Sequence, residues 1–201
     1  MTAEPGRALL FAPGAGAPSS SAWMQAMKRR FAALGSVECL DYPYQLAGRR
    51  SPDKQPVLVA AHEAGLARVR ASHAGPVVLV GKSMGGRIGC HVAAASAKPP
   101  EALVCLGYPL VGQNGKVRDE VLRELRTPVL FVQGTRDALC PIAKLEALLP
   151  ELSAPHALYR VEDGDHSLRV PAGRLKARGE TQDGIDDGIV RAMREFLDVH
   201  A

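Results

Sequence analysis

Ser83 stands in Gly81-Lys82-Ser83-Met84-Gly85-Gly86, directly after the apolar run Val77-Val78-Leu79-Val80. A serine on so tight a strand-to-helix turn has unfavourable backbone angles, and glycines beside it let strand and helix close on one another. Downstream, Met84, Ile88, Val92 and Ala95 recur at helical spacing until Pro99-Pro100 stops the segment. The pattern predicts a nucleophile elbow with Ser83 at its tip.

A serine hydroxyl is a poor nucleophile at neutral pH, so it needs a base within reach and a carboxylate to orient that base. Of six histidines, His62, His73 and His91 fall on helical segments, His156 begins a strand, and His200 is next to last in the chain. His166 alone follows a strand in a polar turn, Glu162-Asp163-Gly164-Asp165-His166-Ser167, which makes it the candidate base. Asp137 follows the run Val129 to Val132 and is the preferred acid. Asp163 and Asp165 are too close to His166 in sequence to approach its ring in the usual way.

Attack on a carbonyl creates an oxyanion that needs donors already in place. One is the N–H after the nucleophile, at Met84; the other should come from the loop Ala12-Pro13-Gly14-Ala15-Gly16-Ala17 after the first strand. Ala15 is preferred, with Gly16 close behind. The same Gly81-Lys82-Ser83 also ends a phosphate-cradling loop motif. That motif needs a glycine where Pro76 stands, and a strand occupies what should be its loop, so nucleotide binding is disfavoured.

The elements that must position these residues follow from periodicity. Apolar runs at Arg7 to Ala12, Val37 to Leu40, Val77 to Val80, Ala102 to Leu106, Pro128 to Val132 and Ala157 to Val161 predict strands. Helical spacing links Trp23, Met27, Phe31 and Leu34; then Leu58, Ala61, Gly65 and Val69; and finally Ile185, Ile189, Ala192, Met193, Phe196 and Leu197. This alternation predicts an α/β fold with a mostly parallel six-stranded sheet covered by helices on both faces. Gly112 to Lys116 and Pro171 to Gly184 read as long surface loops. Every candidate chemical group follows a strand, at the carboxyl edge where such sheets bind ligands.

With 201 residues the chain suits one domain spanning 1–201. Apolar residues at 46% and charged residues at 23% exclude disordered and fibrous classes. The net charge of +4 is dispersed, and no aromatic interleaving supports nucleic-acid binding. Met1 to Arg7 lacks a basic region leading into an apolar one, and no stretch approaches the roughly 20 apolar residues that cross a bilayer, so neither export nor a membrane role is expected. Cys39, Cys90, Cys105 and Cys140 lack paired spacing, which fits a cytoplasmic protein with free thiols. Lys82, Arg87 and Arg136 neighbour the site in sequence; charged residues there commonly face solvent or pair with surface carboxylates.

With these residues in place the chain resembles the α/β-hydrolase superfamily, which uses the order Ser, Asp, His. More narrowly it is similar to the small lidless branch related to dienelactone hydrolases, which contains a testis-expressed vertebrate protein and a subunit of the NSL chromatin complex. The narrower likeness rests on Gly81 to Arg87, on Tyr42-Pro43-Tyr44 followed by Gly48-Arg49-Arg50-Ser51-Pro52-Asp53, and on Gly164-Asp165-His166-Ser167. Dienelactone hydrolases proper carry a cysteine where Ser83 stands, so their substrate does not transfer. The resemblance implies a fold lacking the first two strands of larger members and a serine hydrolase acting on a small ester or thioester, without cofactor or metal. Gly107 to Thr127, with a helix at Val117 to Leu125, is too short for a lid. A non-catalytic interaction module is the alternative, and the oligomeric state is open.

Overall fold

The computed structural model describes residues 6–112 and 114–201. The expectation attached to Met1 to Pro5, that no export signal begins there, lies outside the described residues. The six apolar runs form β1 (Ala8–Ala12), β2 (Ser36–Cys39), β3 (Val77–Lys82), β4 (Ala102–Leu106), β5 (Val129–Gly134) and β6 (His156–Val161). They make one parallel sheet in the order β2-β1-β3-β4-β5-β6.

A parallel sheet is covered on both sides, so successive residues of a strand serve opposite layers. Leu9 and Phe11, Val78 and Val80, and Leu130 and Val132 pack toward α1 (Ala22–Phe31) and α8 (Gln182–His200). Leu10, Leu79, Leu103 and Phe131 pack toward α3 (Gln55–Ser72) and α4 (Met84–Ala95). Helix α8 supplies Ile189, Met193, Phe196 and Leu197 on one buried stripe, as its periodicity predicts.

The chain lays β2 on one side of β1 and then crosses to lay β3 on the other. The direction of travel reverses there, so the loops leaving β1 and β3 diverge and open a crevice. Register completes the arrangement: Ala12 lies opposite Gly81, and Lys82 opposite Leu106. The ends that carry Pro13–Ala17, Ser83 and Gly107 are therefore neighbours.

Two sequence expectations need correction, and two short helices are added to them. Pro171 to Gly184 is not a long loop: it contains α7 (Ala172–Arg178), ended by Gly179 at φ 66, and then the start of α8, where Thr181 Oγ1 accepts from the Gly184 N–H. Helix α7 buries no residue fully, so it carries no apolar stripe to read. The helix expected over Val117 to Leu125 shortens to α5 (Glu120–Glu124), because Val117 bridges back to Val111. A short helix unanticipated from the sequence, α6 (Ile142–Leu148), follows β5, its buried face being only Leu145 and Leu148. One further turn, α2 (Pro43–Leu46), follows β2. Among the described residues no helix is long and apolar enough to cross a membrane.

Helix α3 carries a fully buried His62, whose Nδ1 lies 3.1 Å from the Tyr42 hydroxyl. Burial pushes this imidazole down to about 4. In the unfolded chain it takes a proton below about pH 6.5, so its neutral form stabilises the fold fully above that pH. That contribution is lost as pH falls toward 4, and amounts to about 3 kcal/mol. Urea unfolding at pH 7 and pH 4.5 should show less acid destabilisation in His62→Gln than in the wild type; equal losses would exclude the imidazole as the cause.

Candidate active site

Strand β3 runs through Gly81 and Lys82 and turns into α4 at Ser83, whose φ of 49 and ψ of −114 lie in a region that residues with a side chain rarely occupy. Such a conformation costs on the order of 1–3 kcal/mol and persists only where surrounding structure imposes it. Here the imposing contact is backbone against backbone. A Cβ built on Gly81 would stand 2.1 Å from the Gly86 nitrogen, and one on Gly85 would stand 2.6 Å from the Ala12 carbonyl oxygen. Only hydrogens fit at these positions, so α4 starts directly over β1 and β3.

Ser83 Oγ lies 2.8 Å from His166 Nε2, and His166 Nδ1 lies 2.7 Å from Asp137 Oδ2. Asp137 is 2% exposed. Burial alone would raise its carboxyl, but the hydrogen bonds from His166, the Leu139 N–H and Gln133 outweigh it and hold the group below its ordinary value. The ionised carboxylate can only accept, so Nδ1 carries the imidazole proton and Nε2 is left to accept from the Ser83 hydroxyl. The structure thus brings Ser83, His166 and Asp137 into one hydrogen-bonded row.

The neighbouring acids are used otherwise. Asp165 Oδ1 accepts the N–H groups of Ser167 and Arg169 at 2.7 and 3.0 Å, folding the turn that presents His166. Asp163 faces Arg174 and Arg178. Gln133 is a participant the sequence reading omits: fully buried, it donates to Asp137 Oδ2 at 2.6 Å and accepts the Tyr108 N–H at 3.0 Å. Its signal is a lone amide ending the apolar run Val129-Leu130-Phe131-Val132.

The loop after β1 is held from outside. Tyr44 donates to the Ala15 carbonyl at 2.9 Å, and Gln45 Nε2 donates to the Gly14 and Ala17 carbonyls, each at 3.1 Å. Asp41 accepts both the N–H and the hydroxyl of Ser19. Among the described residues the N–H groups of Ala15, Gly16 and Met84 donate to no protein acceptor.

These elements enclose a cleft of about 360 Å³ whose walls include Ala15, Gly16, Trp23, Met24, Lys82 and Leu139, with Ser83 and His166 at its base. The expectation that the charged neighbours face solvent or pair with carboxylates fails at Lys82, which is 8% exposed and, among the described residues, has no ion pair. It ends a strand buried on both faces. Arg136 is exposed, and the half-buried Arg87 donates to Gln55. No cluster of three metal-ligating side chains occurs among the described residues.

A buried parallel sheet, a serine at the β3–α4 turn and a histidine and aspartate delivered by the β6 and β5 loops define an α/β-hydrolase architecture. The chain belongs to the Alpha/beta hydrolase domain family, which matches residues 5–198. Its fold is similar to that of an α/β serine hydrolase homologue from Coxiella burnetii, at a TM-score of 0.71 and 17% identity over 95% of this chain and 87% of that one. It is also similar to a dienelactone hydrolase from Anabaena variabilis, at 0.73 and 18% over 99% and 88%. A lidless α/β serine hydrolase from Xanthomonas campestris gives 0.68 and 20% over 91% and 82%. In sequence, 67 residues are 30% identical to uncharacterized protein YqkD of Bacillus subtilis, covering 33% of this chain and only 22% of that protein.

The contact at Gly81 yields a direct test. In Gly81→Ala the methyl must displace the α4 backbone, and the fold should lose about 3 kcal/mol or more, measured by urea unfolding. Unchanged stability would show that the turn can relax without the close approach.

Proposed function

We propose that this chain is a serine hydrolase that cleaves a small carboxylic ester or thioester through an acyl-enzyme intermediate. The observation that carries the reading is the Ser83–His166–Asp137 row, with Oγ 2.8 Å from Nε2 and Nδ1 2.7 Å from the carboxylate.

Ser83 Oγ attacks the carbonyl carbon while His166 Nε2 takes the hydroxyl proton. Asp137 keeps the ring in the tautomer that can do so and stabilises the imidazolium that forms. The carbonyl oxygen becomes an oxyanion, for which the Met84 and Ala15 N–H groups, with Gly16 beside them, are the donors. Collapse breaks the bond to the alcohol or thiol, which leaves with the proton from His166. Water, deprotonated by the same nitrogen, then attacks the acyl-enzyme, and the acid departs as Ser83 recovers its proton. No redox partner or cofactor enters this balance.

A cleft of about 360 Å³ lies at the small end of ligand sites. Among its described residues the segment joining β4 to β5 holds only the five-residue α5, too little to cover a long chain. The site favours short acyl groups, and the whole chain is read as one catalytic unit of the cell interior.

A fluorophosphonate probe should label Ser83 and fail to label Ser83→Ala. His166→Ala and Asp137→Asn should each lower kcat/KM by about 10⁴-fold or more, without adding when combined. Resistance of the folded protein to the probe, with ester turnover unchanged in Ser83→Ala, would instead favour a non-catalytic interaction module on the same fold. Across p-nitrophenyl esters from acetate to palmitate, kcat/KM should peak among the short acids. A steady rise through the long chains contradicts the open cleft.

A further inference from the structure

Among the described residues, the cleft beside Ser83 contains one formal charge. Its walls are otherwise backbone, small residues, Ser21, Trp23, Met24, Leu139, His166 and Ser167, and none is a carboxylate. That charge is Lys82, which occupies the position before Ser83 and lies almost wholly out of water. A desolvated ammonium is costly unless something opposes it. Here its Nζ donates to the His166 backbone carbonyl and sits 5.9 Å from the centre of the Trp23 ring. Both are weak compensation beside an anion. Among the described residues no carboxylate comes within ion-pair distance, and of the three N–H donors of the ammonium one is taken.

Burial pushes Lys82 down to about 8, while Asp137 and Asp165 pull the other way from farther off. At neutral pH the side chain therefore remains mainly cationic. The wall around it is close-packed: a Cβ on Gly107, whose φ is 64, would meet the His166 carbonyl at 2.7 Å and Lys82 Nζ at 3.2 Å. The ammonium is held at the cleft rather than swung into solvent.

We infer that Lys82 makes this cleft selective for esters that carry a carboxylate close to the scissile carbonyl, in the acyl or the alcohol half. This rests on the serine-hydrolase reading of the same site. The substrate anion supplies the partner that the protein withholds, and a charge-assisted bond in a cleft walled by Trp23, Met24 and Leu139 is stronger than one in water. Neutral esters of equal length leave the cation without that partner. Specificity then comes from the substrate completing the electrostatics of the pocket.

The test compares matched pairs by acid release. On the acyl side, monoethyl glutarate is set against ethyl valerate; on the alcohol side, O-acetylglycolate is set against ethyl acetate. In the wild type at least one anionic member should exceed its neutral counterpart in kcat/KM by about tenfold to a hundredfold, and the pair that does so identifies the half that bears the charge. Lys82→Met should bring that ratio to about one or below, and Lys82→Arg should keep it above one. The ratio within each variant separates selection from a general loss caused by disturbing the His166 turn. Equal or faster turnover of both neutral esters by the wild type overturns the inference on its own, even if Lys82→Met fails to fold. A preference that survives in Lys82→Met also overturns it. If none of the four esters is turned over and the fluorophosphonate does not label Ser83, the hydrolase reading falls, and this inference with it.

Discussion

The site depends on a distance too short for any side chain. Where β3 meets α4, the Gly81 backbone touches that of Gly85 and Gly86, and Gly85 in turn touches the carbonyls of Ala12 and Pro13. That double contact sets the helix down over the switch point of the sheet, and it forces Ser83 into a conformation that it would not adopt in a free turn. Once Ser83 is placed there, the remaining site has to be delivered to it by other strand ends. The five-strand stretch from β1 to β6 does so because every strand in it points the same way.

Delivery relies on fixed loops rather than on long reach. The β6 turn is closed by Asp165 and pinned to the β5 loop, where the Arg136 N–H donates to the Gly164 carbonyl at 2.9 Å. The β5 loop is anchored by Gln133, which reads both Asp137 and the backbone of Tyr108 after β4. Three consecutive strand ends are thereby bound to one another beneath His166. On the other side, Tyr44 and Gln45 hold the Gly14–Ala17 segment from the β2 loop. Polar side chains between loops do here what apolar packing does within the sheet.

What the residue pattern reveals and conceals follows from this division. The strands are legible because burial on both faces demands unbroken runs such as Leu9-Leu10-Phe11, and β4 begins and ends where its run does. Helix α7 is not, since a segment with only Leu175 against the core shows no stripe. The Ser83 turn is legible because close approach admits only glycine. Asp137 could be preferred over Asp163 and Asp165 by its distance along the chain, but not the reason those two are occupied elsewhere. Lys82 shows the limit most clearly: a lysine beside a turn reads the same whether it faces solvent or the inside of a cleft. Its burial is decided by Trp23 and Gly107, which lie far away in sequence.

The loop that faces Ser83 is tied to the least secure part of the sheet. Strand β2 has only four residues, lies at an edge, and none of the four is fully buried; beyond it come Tyr44 and Gln45, the residues that hold Gly14–Ala17. Edge strands of this kind open well before the centre of a sheet does. On warming, β2, with four register pairs, and its loop would therefore fray while β1, β3, β4, β5 and β6, whose six pairs hold it to β5, remain together, and the Ala15 segment would drift although Ser83, His166 and Asp137 stayed in place. The activity proposed for this site would then be lost before unfolding, with Ser83 and His166 still in contact in a protein that has lost one wall of its cleft.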